Sequence, residues 1–338
     1  MTAPSRLRLD SGALIANWQL LDRMSGAAAC GAAVKADGYG LGARGVVERL
    51  AAAGCRDFFV ASWAEALALA DLGLAVSVLH GVRAEDPSGP ANLRPVLNSA
   101  AQVARWKPTG LPCDVMVDTG MNRLGVSVEE VADGLLDGLA IETLMSHLVS
   151  ADEESPLNAR QLRDFAALKG RTPARRMSLA NSAAIALGPD YAFDLTRPGI
   201  ALYGGVQGAG HAGIRQVVTP EAQILQRRRV AAGETVGYNA TFTAPADLEV
   251  AILNIGYADG YLRCFSGKGR ARRDDAVLPV LGRVSMDLVA IGVDAAPGLG
   301  EGDWVSLDYD LPATAQLSGL SQYELLTGLG ARFDRIWY

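Results

Sequence analysis

A lysine closing a short apolar run is the feature of this sequence with the most chemical promise. The stretch reads Ala32-Ala33-Val34-Lys35-Ala36-Asp37-Gly38-Tyr39-Gly40-Leu41-Gly42. Lysine is scarce: only Lys35, Lys107, Lys169 and Lys268 occur, and arginine carries most of the positive charge. An amine held partly out of water at a strand end falls below its usual pKa of ~10.4 and can act as nucleophile or base. The glycines that follow would let the backbone approach a ligand where a Cβ would clash. Taken alone, the lysine reads more simply as a side chain snorkelling from a strand end. Four more residues sit at similar places: Arg123 in Asp118-Thr119-Gly120-Met121-Asn122-Arg123, His147 after Ser146, Ser182 after Asn181, and Arg197 before Pro198-Gly199-Ile200.

The elements that would position them alternate between short apolar runs and amphipathic segments. The strand candidates are Cys30–Val34, Phe58–Ala61, Ala75–His80, Arg94–Leu97, Cys113–Asp118, Ile141–His147, Arg176–Leu179 and Phe193–Arg197. Between them lie helical patterns at Arg44–Ala53, Trp63–Leu72 (capped by Ser62), Ser99–Trp106, a capping-box start at Ser127, Pro156–Leu168 and Asn181–Leu187. Alternation of this kind predicts a (β/α)8, TIM-type barrel over residues 11–217. Pro95 makes the fourth strand the weakest of the set. From 218 to 338 the pattern changes to short alternating runs at Val217–Leu225, Leu248–Ile255, Val277–Leu281, Leu288–Val293 and Trp304–Leu307, with no strong helical period before Gln322–Leu329. This predicts a separate, mostly β domain, and the alternating segment at residues 5–10 is a candidate to join its sheet.

Composition narrows the function classes. The 338 residues carry a formal charge of −6, with no basic tract, which argues against a nucleic-acid partner. No uncharged apolar run approaches ~18 residues, and nothing at the start resembles a signal peptide. The four cysteines are scattered without a C-x-x-C pair, so neither a metal site nor a disulfide framework is expected. The expectation is a soluble cytoplasmic protein.

In such a barrel, chemistry sits where the strands end, and phosphate sites form after strands seven and eight. Lys35 at strand one faces Ser182, Gly199 and Ile200 at those positions. That pairing describes a pyridoxal phosphate pocket, with a Schiff base at one end of the cofactor and the phosphate held at the other. Each residue has a plainer alternative: Ser182 as a helix cap, His147 as a hydrogen-bonded core histidine, Arg197 as an ion-pair partner. Their agreement on one face is what favours the pocket.

Seven motifs, in order, then make the chain resemble the bacterial alanine racemases over nearly its whole length. They are residues 33–40, 117–125 and 181–184, Arg197-Pro198-Gly199-Ile200-Ala201-Leu202-Tyr203-Gly204, Gly256-Tyr257-Ala258-Asp259-Gly260, Ser285-Met286-Asp287 and Tyr323-Glu324. The resemblance implies a head-to-tail homodimer that binds pyridoxal 5'-phosphate and acts on an amino acid. Lys35 would carry the cofactor and serve as base on one face of the substrate, and Tyr257 of the other subunit would be the opposite base. Tyr39, Ser182, Gly199, Ile200 and Tyr323 would hold the phosphate, and Arg197 would face the pyridine nitrogen. Arg123 would contact the cofactor and the substrate carboxylate, which the backbone of Met286 would also hold. His147 would contact Tyr257. Asp152, Tyr238 and Arg283 match positions lining the approach corridor.

Three departures stand out. Members of this family often carry a carbamylated lysine where this chain has Met116, so Arg123 needs another orienting partner: Asp118, Asn122 or a bound anion. Ser285 replaces a frequent cysteine, and Asp37-Gly38 a commoner Asn-Ala. The implied function is interconversion of L- and D-alanine, supplying D-alanine for peptidoglycan. The rivals are a racemase of broader specificity, accepting serine or other amino acids, and a non-catalytic pyridoxal phosphate-binding barrel protein, which would lack the domain bearing Tyr257.

Overall fold

The computed structural model describes residues 3–86 and 89–338, which divide into two compact units. One comprises Ala13–Arg215, and the other comprises the residues up to Gly12 together with Gln216–Tyr338.

In the first unit, Ala32–Ala33, Asp57–Val60, Ala75–Val78, Leu93–Leu97, Cys113–Met116, Ile141–Met145 and Arg176–Ser178 form one parallel sheet in that order. Most strand residues are buried on both faces, as expected of a parallel sheet covered by helices. The expected first strand is split at Gly31, so that Ala29–Cys30 pairs instead with the eighth strand, Leu195–Thr196. Amides flanking the eighth strand bond to both edges of the sheet. Arg197 N donates to Ala180 O at 2.8 Å, Gly31 N to Thr196 O at 2.9 Å, and Ala33 N to Pro198 O at 2.8 Å. The sheet closes on itself, which is the TIM-type barrel expected from the sequence. Pro95 is accommodated within Leu93–Leu97, and pairing with Cys113–Met116 begins only at Val96.

The connecting helices are shorter than the sequence suggests. Ser62 and Ser127 do form capping boxes, with Glu65 and Glu130. The segment expected at Trp63–Leu72 breaks into Trp63–Leu67 and a 3-10 turn at Ala70–Leu72. A one-turn helix gains little from its own hydrogen bonds and lasts only as long as its apolar face is packed.

In the second unit, six strands form a closed ring: Val218–Val230, Leu248–Leu253, Val289–Gly292, Ala276–Leu281, Arg270–Arg273 and Trp304–Leu307. The 13-residue strand Val218–Val230 closes it, pairing with Trp304–Leu307 through its first half and Leu248–Leu253 through its second. A register shift between Ile224 and Gln226 bends it between the two partners. Ser5–Leu9 lies antiparallel to the start of the same strand and parallel to Asp334–Trp337. A helix that the sequence pattern does not announce, Leu311–Ser318, is capped at its start by Asp310 accepting from Ala313 N at 3.0 Å. No helix among the described residues is long and apolar enough to cross a membrane.

Candidate active site

Parallel strands put all their C-terminal ends on one side of the barrel, and four basic groups gather there. Lys35 follows Ala32–Ala33, Arg123 lies in the loop after Cys113–Met116, His147 follows Ile141–Met145, and Arg197 follows Leu195–Thr196. Burial lowers the Lys35 pKa first, the Arg123 charge lowers it further, and Glu65 opposes both. His147, half-buried, is pushed down to about 3 by burial and then by Arg197, Arg123 and Lys35, so its ring is neutral. Arg197 is buried and drops to about 10, which leaves it protonated at neutral pH.

Arg197 is not an ordinary ion-pair partner. Its guanidinium donates to Ser178 Oγ and, at 2.6 Å, to the Ser146 carbonyl oxygen. No carboxylate lies within ion-pair distance of it among the described residues. Ser146 Oγ in turn pairs with Thr119 Oγ1 at 2.8 Å. The loop bearing His147 is fixed by Gln161, which donates to the His147 carbonyl at 3.0 Å and accepts from Val149 N at 2.9 Å. The His147 ring itself makes no hydrogen bond among the described residues, against its plainer reading as a satisfied core histidine.

Ser182 is not the helix cap either. Asn181 takes that role, its side chain accepting from Ala184 N at 2.9 Å. This leaves Ser182 Oγ to accept from Gly199 N at 2.8 Å and Ala201 N at 3.3 Å. With its lone pairs engaged, the hydroxyl's remaining capacity is to donate, which suits an anionic ligand. A Cβ added to Gly199 would lie 2.2 Å from Tyr39 Oη, so the glycine leaves the tyrosine room at this seat. The Tyr39 ring stacks on Tyr203 at 4.7 Å, and Tyr203 is anchored by donating to the Ala33 carbonyl at 2.8 Å.

The glycines after Lys35 take part in a left-handed stretch of backbone. Ala36, Asp37, Gly38 and Tyr39 have φ of 53°, 52°, 63° and 55°, making one left-handed turn closed by Gly40 N donating to Ala36 O at 2.9 Å. Such a turn costs about 1–2 kcal/mol per non-glycine residue, and glycine limits that cost. The turn aims Tyr39 back toward Gly199. Glu65 braces it from the neighbouring helix by accepting from Ala36 N at 2.9 Å.

Arg123 is exposed and has no hydrogen bond or ion pair among the described residues. Asp118 does not orient it, because Asp118 Oδ1 accepts from Gly120 N and Met121 N, both at 2.8 Å. Met116 is buried in its strand. Asp152 is an exposed residue of this unit.

Tyr257, Met286 and Tyr323 belong to the other unit, as do Tyr238 and Arg283. There, Tyr257 N donates to Ser285 O at 3.0 Å and Ala258 N to Met286 O at 3.0 Å, so the two motifs are bonded together. Asp259 holds this turn, accepting from Gly256 N at 2.9 Å and from Arg332 at 2.6 and 2.9 Å. The Arg263 guanidinium lies 5.1 Å from the Tyr257 ring centroid. Gln161 and Arg332 have no signal in the sequence, whereas Tyr203 and Asp259 stand in its motifs without an assigned role.

A lysine with a depressed pKa, a buried uncompensated arginine and a hydroxyl left to donate at one barrel mouth are what an anionic carbonyl cofactor requires. Comparison with known proteins extends this to the whole chain. The alanine racemase N-terminal domain model matches residues 9–207, and the C-terminal domain model matches residues 217–337. This chain belongs to the alanine racemase family. It is 43% identical to an alanine racemase of Acidiphilium cryptum, over 98% of each chain. Its fold is similar to the crystal structure of alanine racemase from Bartonella henselae with covalently bound pyridoxal phosphate: TM-score 0.87, 33% identity and 99% of each chain covered. The alanine racemase of Acinetobacter baumannii is similar with a TM-score of 0.86 and 31% identity over 100% of each chain.

Proposed function

We propose that this protein interconverts L- and D-alanine with pyridoxal phosphate held covalently through Lys35. The observation that carries the reading is the convergence of Lys35, Arg123, His147 and Arg197 beside the Ser182–Gly199 seat. When bound, the cofactor withdraws electron density from the substrate and makes its Cα proton removable. Ser182, Gly199, Ile200, Tyr39 and Tyr323 hold its phosphate, and Arg197 donates a hydrogen bond to its ring nitrogen without giving up a proton. Arg123 and the Met286 backbone hold the substrate carboxylate. His147 stays neutral and contacts Tyr257.

Inversion at Cα needs a proton removed from one face and one returned to the other. Lys35 Nζ serves the first face and Tyr257 Oη, from a second copy of the chain, serves the opposite face. Both sites of a head-to-tail homodimer are then shared. Exposed apolar residues of the second unit support a covered face: Tyr238 is 67% exposed and Met286 53%. The four free thiols suit the reducing cytoplasm, where D-alanine would feed peptidoglycan synthesis.

Mixing subunits tests the shared site. Lys35→Ala and Tyr257→Phe homodimers are each expected to lose at least ~10³-fold in activity. A verified heterodimer has one site with both bases and one with neither, and should recover up to about half of wild-type activity. A heterodimer as inactive as its parents would remove the two-subunit mechanism. Running the wild type with a panel of L-amino acids measures its breadth.

A further inference from the structure

Behind the Ser182 seat lies a histidine that this chemistry does not use. His211 is fully buried at the end of the turn Ala209–His211. Its Nε2 lies 3.0 Å from the Ser182 carbonyl oxygen, and its Nδ1 lies 3.2 Å from the Gln207 amide nitrogen. A carbonyl can only accept and an amide N–H can only donate, so the tautomer follows: Nε2–H donates to Ser182 and Nδ1 accepts from Gln207. Burial lowers the pKa of the ring, which keeps it neutral.

The Ser182 carbonyl is open to this bond because the helix Ser182–Ile185 is a single turn. The next amide past it, Ala186 N, goes to the Ala183 carbonyl at 3.0 Å. The segment carrying His211 also presses on both arms of the seat. A Cβ at Gly210 would lie 2.6 Å from Ala186 Cβ, and one at Gly205 would lie 2.3 Å from Ile200 Cγ1. Residues 205–211 thus back the Ser182 helix on one side and the Gly199–Ile200 turn on the other.

We propose that His211 is a positioning residue for the phosphate seat. Its Nε2–H fixes the Ser182 peptide, and through it the hydroxyl that gathers the Gly199 and Ala201 amides. The proposal rests on the reading of Ser182 as a phosphate contact. It predicts an effect confined to the phosphate: affinity for pyridoxal phosphate should fall while affinity for pyridoxal does not.

The side chains of glutamine and asparagine separate the two ring nitrogens. Glutamine places its amide near the Nε2 position, and asparagine places its amide near Nδ1. The full chain, stripped of cofactor, is titrated with pyridoxal phosphate and with pyridoxal, and the ratio of the two affinities is the readout. The ratio should fall about five- to tenfold in His211→Asn, stay within about twofold of wild type in His211→Gln, and fall further in Ser182→Ala. A ratio kept in His211→Asn but lost in Ser182→Ala would overturn the role of His211 alone. An unchanged ratio in Ser182→Ala would remove the phosphate reading of Ser182, and the proposal with it. Imidazole ¹⁵N shifts of the unmodified protein supply a check independent of folding: they should show Nε2 protonated, and the opposite tautomer would refute the proposal.

Discussion

The two ends of the barrel treat buried charge in opposite ways. At the end where strands begin, Asp57 accepts two bonds from Arg176, at 3.0 and 2.6 Å, and Arg94 sits 3.8 Å from Asp57 and 3.4 Å from Asp114. Ser77 adds a hydrogen bond to Asp114 at 2.6 Å. These two aspartates and two arginines cancel. At the mouth, Lys35, Arg123 and Arg197 gather with only Glu65 opposing the field on Lys35. Both groups sit on the same barrel, so the fold alone does not explain the difference. Buried charges that cancel are part of the architecture, whereas cations gathered at the mouth, with no carboxylate bonded to Arg123 or Arg197 among the described residues, are kept for a ligand that brings negative charge.

Removing one cation from each end should break the symmetry most sharply. Arg94→Met leaves Asp114 without its cation and is expected to lower unfolding stability by about 3–5 kcal/mol, with kcat/KM of the folded protein within about threefold of wild type. Arg197→Met should behave in reverse, losing ~10²-fold or more in kcat/KM with a smaller change in stability. Denaturant melts and kinetics on both variants decide this. A large stability loss in Arg197→Met with activity retained would show that the mouth, too, is architecture.

A smaller effect should appear in the pH dependence of cofactor-free protein, with opposite signs at the two ends. His147 is held at about 3, against 6.5 for an ordinary imidazole. Between those values the unfolded chain binds a proton that the folded chain refuses, so stability declines as pH falls through that window. Burial raises the Asp114 pKa above its ordinary 3.8, so the folded chain holds that proton longer and its contribution declines as pH rises. His147→Gln should flatten the acid side of the profile and Asp114→Asn the other slope. Identical profiles in wild type and His147→Gln would contradict the charge environment described for the mouth.

What the sequence made legible was whatever is encoded locally. Lys35 and Arg197 close apolar runs, and the caps Ser62 and Ser127 have their partners three residues away. The barrel follows from alternation alone, because each strand needs only its own apolar run. The parts that were not legible depend on distant partners. Whether Asn181 or Ser182 caps its helix is decided by Gly199 and Ala201, 17 and 19 residues from Ser182. The left-handed turn after Lys35 is stabilised by Glu65, 29 residues from Ala36. Tyr203 supports Tyr39 through Ala33, a contact 170 residues long in sequence. The Leu311–Ser318 helix was hidden by a weak apolar stripe, since only Leu311 and Thr314 in it are buried.

The most direct test of the central claim is where the cofactor is attached. Borohydride reduction of the isolated protein should abolish its visible absorbance, and peptide mapping should find the reduced cofactor on Lys35. Among the other lysines, Lys107 and Lys169 lie in segments away from the strand ends and Lys268 lies in the second unit. Label on any of those three, or a protein that carries no reducible cofactor, would contradict the account.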